Sequence, residues 1–189
     1  MNWKEQLKIL EQHKEWDLAI DLMKNVITEN PNNVDAYLYM NYLLMNLLVE
    51  EDHDESKHDY YETLLKHYFE ESYTKFSDNA EYLFYTGVTA YMSEWYMGLK
   101  DDEPQKMLDK AMLLDPNNLV FKRTYYIFLD LKNPKHINEV YNYANLVLEK
   151  NSPIRKALLQ KGSLGEYIFG MMEHWSKDII KNYSSKIYT

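Results

Sequence analysis

All five prolines of this chain fall between stretches of helical periodicity, and two of them close the same short break. "TENPNNVDAYLYM" runs from Thr28 to Met40 and "LLDPNNLVFKRTYY" from Leu113 to Tyr126. Proline inside a helix deletes a backbone hydrogen bond and clashes with the preceding turn, so it belongs at first turns and connections. A chain whose prolines avoid every periodic segment is built from helices, and the prolines mark their ends. Polar residues beside them strengthen the marks: Asn133 precedes Pro134, and Asn151 or Ser152 precedes Pro153, each as an N-cap. Asp78 with Glu81 three places on reads as a capping box.

Between the marks the period is that of a helix. Trp16, Ala19, Ile20, Met23, Val26 and Ile27 form one apolar stripe, and Ile137, Val140, Tyr141, Ala144, Val147 and Leu148 form another. Tyr61, Leu64, Leu65, Tyr68 and Phe69 make a third. No run sustains the period-two alternation of a strand. The pattern predicts helices near 2–13, 16–29, 33–50, 57–76, 79–98, 104–114, 117–132, 135–150, 153–173 and 174–187. Gly162, Gly165 and Gly170 are candidates to bend or end the last two. The expected fold class is all-α, made of antiparallel helical hairpins, and five glycines are too few for a loop-rich β-sandwich.

The segment 3–33 resembles a tetratricopeptide repeat. Trp3 matches the family's early aromatic, Ala19 its small packing residue and Pro31 its closing proline, with Tyr37 where a next repeat begins. A looser second block offers Gly87, Ala111 and Pro116, while Pro104 stands where the family has a small mid-helix residue. Pro31 and Pro116 lie 85 residues apart, two and a half of the family's periods of about 34, so the helices between them are irregular repeats. The resemblance implies a short solenoid in one domain over 1–189, with an irregular acidic connection near 50–58 and a capping segment at 153–189. It also implies a role in protein–protein binding. One version is an adaptor or co-chaperone that grips peptide tails; the basic clamp residues which that version uses are sparse here.

Charge sharpens the expectation. The net charge is −9; the segment from Lys150 onward has seven Lys/Arg against three Asp/Glu, which leaves −13 on residues 1–149. Such a surface repels nucleic-acid phosphates and draws in a basic protein. No cysteine is present, which excludes disulfides and thiolate zinc sites. "MNWKEQLKIL" lacks the apolar run of a leader, and "AYLYMNYLLMNLLV" is too short and polar to span a bilayer. A cytoplasmic protein without a membrane span is expected.

Catalytic signatures are missing: there is no Gly-x-Ser-x-Gly elbow and no glycine-rich phosphate loop. His13, His136 and His174 read as surface or helix-end residues rather than as bases. Glu50 precedes His53 by three and Glu55 precedes His58 by three, the spacing of di-iron ligands, but those bundles need the pairs on different helices. In a hydrophilic connection the cluster reads as charge, with a surface metal clip the weaker alternative. No cofactor and no catalysis are expected; a metal-dependent or hydrolytic enzyme is the third-ranked reading.

The anomaly is aromatic. Eighteen tyrosines accompany four tryptophans, many in doublets. Neighbours on a helix point about 100° apart, so one of each doublet faces outward. Exposed tyrosine beside acids suits a binding face. The candidate partner-binding residues are Tyr39, Tyr42, Tyr60 and Tyr125, with the carboxylates Glu50, Glu51, Asp52, Asp54 and Glu55. In size, acidity and lack of catalytic motifs the chain is similar in type to the immunity proteins of bacterial toxin systems. That likeness implies occlusion: carboxylates from Glu50 to Asp59 would pair with the cations of one basic toxin domain. Finally, Trp175, Ile179, Tyr183 and Ile187 are four apart, with Lys177, Lys181 and Lys186 on other faces. This reads as a helix covering the end of the stack rather than one lying on a membrane.

Overall fold

In the computed structural model, which describes residues 2–127 and 129–184, both Pro-Asn-Asn breaks close as the same turn. The Asn33 amide donates to the Asn30 carbonyl at 3.0 Å, and the Asn118 amide to the Asp115 carbonyl at 3.2 Å. Proline sits second in each turn, where its fixed φ is already correct. Beyond the turn the two segments diverge. After the first, Asn33 caps the helix α3 (Val34–Val49), accepting from the Ala36 amide. After the second, Asn118 accepts from Val120 at 3.1 Å, and turns continue until a short helix, α8 (Arg123–Ile127). Among the described residues the predicted helix over 117–132 is thus reduced to those five. Val120 and Phe121 are buried in turn conformation instead.

Among the described residues every regular element is a helix and there are no strands. The chain, expected as a single domain over 1–189, divides into two compact units between Leu114 and Asp115, and each unit is described by itself. The boundary falls on the second Pro-Asn-Asn turn. Unit 1 has ten Lys/Arg against 23 Asp/Glu, and unit 2 has eleven against seven.

Unit 1 holds α1 (Trp3–Gln12), α2 (Trp16–Glu29), α3, α4 (His58–Phe76), α5 (Ala80–Ala90), α6 (Glu94–Met97) and α7 (Glu103–Leu114). The helices α1 and α2 pack together, as do α2 with α3, α3 with both α4 and α5, α4 with α6, and α5 with α7. With neighbours on several sides, α3 is buried along almost its whole length, as a helix apolar all round must be. Gly87 sits where α5 meets α7: a Cβ there would lie 2.9 Å from Leu108 Cδ2 and 3.2 Å from the Pro104 carbonyl. Pro104 itself lies in the first turn of α7, where it removes no helical bond. The predicted helix 79–98 breaks at Tyr91–Ser93, and Gly98, at φ 71°, ends α6. The N-cap of α5 is Asn79 rather than Asp78: the Asn79 side chain, not the expected capping box, accepts from the Tyr82 amide at 2.9 Å.

A polar knot crosses the core of this unit. Ser72 on α4 donates to the Tyr68 carbonyl at 2.6 Å, which leaves its oxygen to accept from the Tyr82 hydroxyl of α5 at 2.7 Å and the Asn41 amide of α3 at 3.3 Å. All three residues are 1% exposed or less. Ser72→Ala takes the acceptor from two buried donors and is expected to cost about 1–3 kcal/mol. Adding Tyr82→Phe should restore part of the loss in a denaturant double-mutant cycle; strict additivity would show that the three groups do not act together.

Unit 2 contains α8, α9 (Pro134–Leu148), α10 (Pro153–Leu159) and α11 (Gly162–Tyr183), with α9 and α10 packed on α11. Asn133 caps α9 as expected, accepting from the Lys135 amide at 3.0 Å. Of the three candidate glycines, Gly162 makes the break, with φ 56°, and α11 then continues through Gly165 and Gly170. Ile179 of α11 packs with Val140 and Ala144 of α9, flanked by Trp175 and Tyr183. The terminal stripe therefore covers a helix within this unit; Lys186 and Ile187 lie outside the described residues. Among the described residues no helix is long and apolar enough to cross a membrane.

Candidate functional site

The acidic connection between α3 and α4 is short and tied down at several points. Asp54 accepts from the Ser56 amide at 3.0 Å and from the Ser56 hydroxyl at 2.7 Å, starting a 3-10 turn, Glu55–Lys57, that runs into α4. Those hydrogen bonds hold the Asp54 carboxyl below its ordinary range. Glu51 meets Lys14 at 2.7 Å, the residue whose left-handed φ of 56° turns the chain between α1 and α2. Lys57 meets Asp17 of α2 at 2.5 Å.

These anchors bring His53 and His58 together, five residues apart, within the connection rather than across a bundle. The Glu51 carbonyl can only accept, so His53 Nδ1, 3.2 Å away, carries a proton. A neutral His53 then accepts at Nε2 from His58 Nδ1–H at 3.2 Å, and His58 Nε2 accepts from the Tyr96 hydroxyl at 3.4 Å. Among the described residues no three ligating side chains gather in a metal-binding group.

The same residues belong to a continuous row of rings. Tyr60 contacts Tyr61 at 5.7 Å between centroids, Tyr61 contacts His53 at 5.7 Å, and His53 stacks on His58 at 5.4 Å. His58 meets Tyr96 at 5.7 Å, and Tyr96 meets Trp95 at 5.3 Å. Both ends are open: Tyr60 is 45% exposed and Trp95 57%. Edge-to-face and stacked pairs of this kind fix ring positions and add to burial. Lys24 donates to the Tyr60 hydroxyl at 2.7 Å and lies over its ring, which positions that end of the row.

The expected site residues separate into groups. Tyr60 is exposed while Tyr61 is 2% exposed, as the doublet argument requires. Tyr39 and Tyr42 are 3% and 6% exposed and are corrected out of the docking face. Their helix is enclosed by α2, α4 and α5, so no side of it is free, and Trp3 packs edge-on against Tyr39 at 5.2 Å. Tyr125 is exposed but belongs to unit 2 and is outside this site. Glu51 and Asp54 hold the connection in shape. Glu50, Asp52 and Glu55 are exposed, as is Glu62 one turn into α4. Sequence spacing does not single out Trp95, Tyr96 or Lys24. The Trp95–Tyr96 doublet is open to the same 100° argument as Tyr60–Tyr61, but the long helix expected over 79–98 conceals it.

No family model, no curated protein and no solved structure matches this chain.

Proposed function

We propose that the chain is a non-catalytic binding module that holds one basic protein through the acidic connection and ring row of unit 1. The supporting observation is the row itself: six rings in continuous contact, open at Tyr60 and Trp95, with exposed carboxylates Asp52, Glu55 and Glu62 alongside. Rigid aromatic anchors supply contact area at little entropic cost, and surrounding carboxylates steer and select a cationic partner. The successive packing of α1 on α2, α2 on α3 and α3 on α4 fits the end of a helical-hairpin solenoid, whose common role is to present such a surface. The partner that suits this chemistry best is a toxin domain that grips its own substrate with lysines and arginines. The module would then act as an immunity protein, by occlusion.

The test is co-purification from the native host, followed by titration of the partner recovered. Asp52, Glu55 and Glu62 hold no salt bridge among the described residues, so reversing all three to lysine should leave the melting temperature unchanged. The same variant should weaken binding at least tenfold and flatten its salt dependence. Trp95→Ala should weaken binding by a similar factor with the salt dependence intact. Undiminished binding by the charge-reversed variant would defeat the proposal.

A further inference from the structure

The positive excess at the end of the chain is concentrated at one place in unit 2. A groove of about 620 Å³ opens where α9 gives way to α10, lined by Lys150, Arg155 and Lys156 among other residues and by no carboxylate. None of the three cations makes an ion pair with a described residue, whereas Lys4, Lys14, Lys57, Lys75 and Lys110 in unit 1 all do. Glu149 adjoins Lys150 in sequence but does not line the groove.

A second observation is independent of charge. Ser152, which lines the groove, is 1% exposed, and its buried hydroxyl has no hydrogen-bond partner. A buried hydroxyl without a partner is unfavourable, and a ligand that accepts from it relieves the cost. A third is geometric: the Arg155 guanidinium lies over the Phe169 ring of α11, 4.6 Å from its centroid, which limits its freedom before any ligand arrives.

We propose that this groove binds a phosphate group carried by a small molecule or free in solution. A phosphate dianion matches two ammonium groups and a guanidinium in charge, and its several oxygens can accept from the Ser152 hydroxyl as well. The volume admits a phosphate ester with a modest organic part, for which Leu159, 43% exposed at the groove, provides an apolar contact. An extended polyanion is disfavoured, since three cations make few phosphate contacts and the chain as a whole is acidic.

Calorimetric titration of the full chain with inorganic phosphate, pyrophosphate and a nucleoside monophosphate tests this. Binding of at least one is expected, weakened by salt. Lys150→Gln with Lys156→Gln should reduce the affinity at least tenfold at an unchanged melting temperature, because both side chains are exposed. Ser152→Ala should reduce affinity several-fold while leaving stability equal or higher, an outcome that a purely structural serine would not give. Absence of binding by all three probes, or binding indifferent to the double variant, would overturn the proposal. So would binding confined to single-stranded DNA or to anionic phospholipid vesicles, which would assign the cations to a polyanion or a lipid surface. None of these readouts depends on the basic partner proposed for unit 1.

Discussion

Replacing Gly165 by alanine is expected to destabilise unit 2 by about 3 kcal/mol or more and to lower its melting temperature by roughly 15 °C. A Cβ at this position would stand 1.7 Å from the Leu158 carbonyl oxygen and 2.6 Å from the Leu158 carbonyl carbon. Both are backbone atoms, so no rotamer change relieves the overlap. Relief requires α10 to move away from α11, which would open the packing of Ile154, Leu158 and Leu164, all 1% exposed or less. Gly170, further along the same helix α11, provides the control. Nothing lies within 4 Å of a Cβ built there. Gly170→Ala therefore only removes the entropic weakness of a mid-helix glycine and should stabilise by about 0.5–1 kcal/mol. The same one-carbon change is thus expected to act with opposite signs at the two sites. Thermal unfolding or amide exchange across α10 and α11 reads both, and equal effects would show that the Leu158 contact does not constrain the helices.

Alkaline pH should unfold the protein well before its lysines are fully discharged. Tyr82, Tyr85 and Tyr143 are at most 4% exposed. Burial is the first cause that holds each hydroxyl protonated far above the ordinary tyrosine range. In the unfolded chain tyrosines ionise near pH 10. Below that pH both states keep the proton and the contribution to stability is complete. As pH rises beyond it, the unfolded state binds fewer protons than the folded one, so stability falls by about 1.4 kcal/mol per pH unit for each such tyrosine. Unit 1 holds two of them, and burial also raises Tyr37, Tyr61 and Tyr68, so it should lose roughly 3 kcal/mol per unit or more above pH 10. Denaturant midpoints measured from about pH 8.5 to 11.5 check the slope, and Tyr85→Phe should lower it by one tyrosine's share, about 1.4 kcal/mol per pH unit. A midpoint that stays level across this range would contradict the assignment.

How much of this can be read from the sequence depends on the range of the forces involved. Helix ends are legible because they are local chemistry. Asn33 and Asn133 cap the helices they precede, and proline stands at the ends its geometry permits. The capping residue of α5 is displaced by one from expectation because Asp78 and Asn79 are both competent acceptors, and only the backbone decides between them. The stripe on α2 is legible too, with Ala19, Ile20, Met23 and Ile27 buried. Tyr39 and Tyr42 mislead because exposure on α3 is set by what surrounds it, a tertiary matter that no period within the helix encodes. His53 and His58 meet through a 3-10 turn, so neither helical nor strand spacing announces their contact. The knot of Asn41, Ser72 and Tyr82 joins three helices and leaves no pattern in any one of them. The basic excess after Lys150 is plain in the sequence, while its concentration in a groove free of carboxylates is not.

That knot has a further meaning for how α3, α4 and α5 find one another. Apolar layers of leucine, methionine and tyrosine are forgiving, and two such helices can slide by one turn and still bury similar area. A slide of about 5.4 Å would carry Ser72 away from both Asn41 and Tyr82 and strand hydroxyl and amide groups in a dry interior. Alignment between these helices is therefore selected by a penalty on the wrong arrangement more than by a reward for the right one, as a lone asparagine does in a coiled-coil seam.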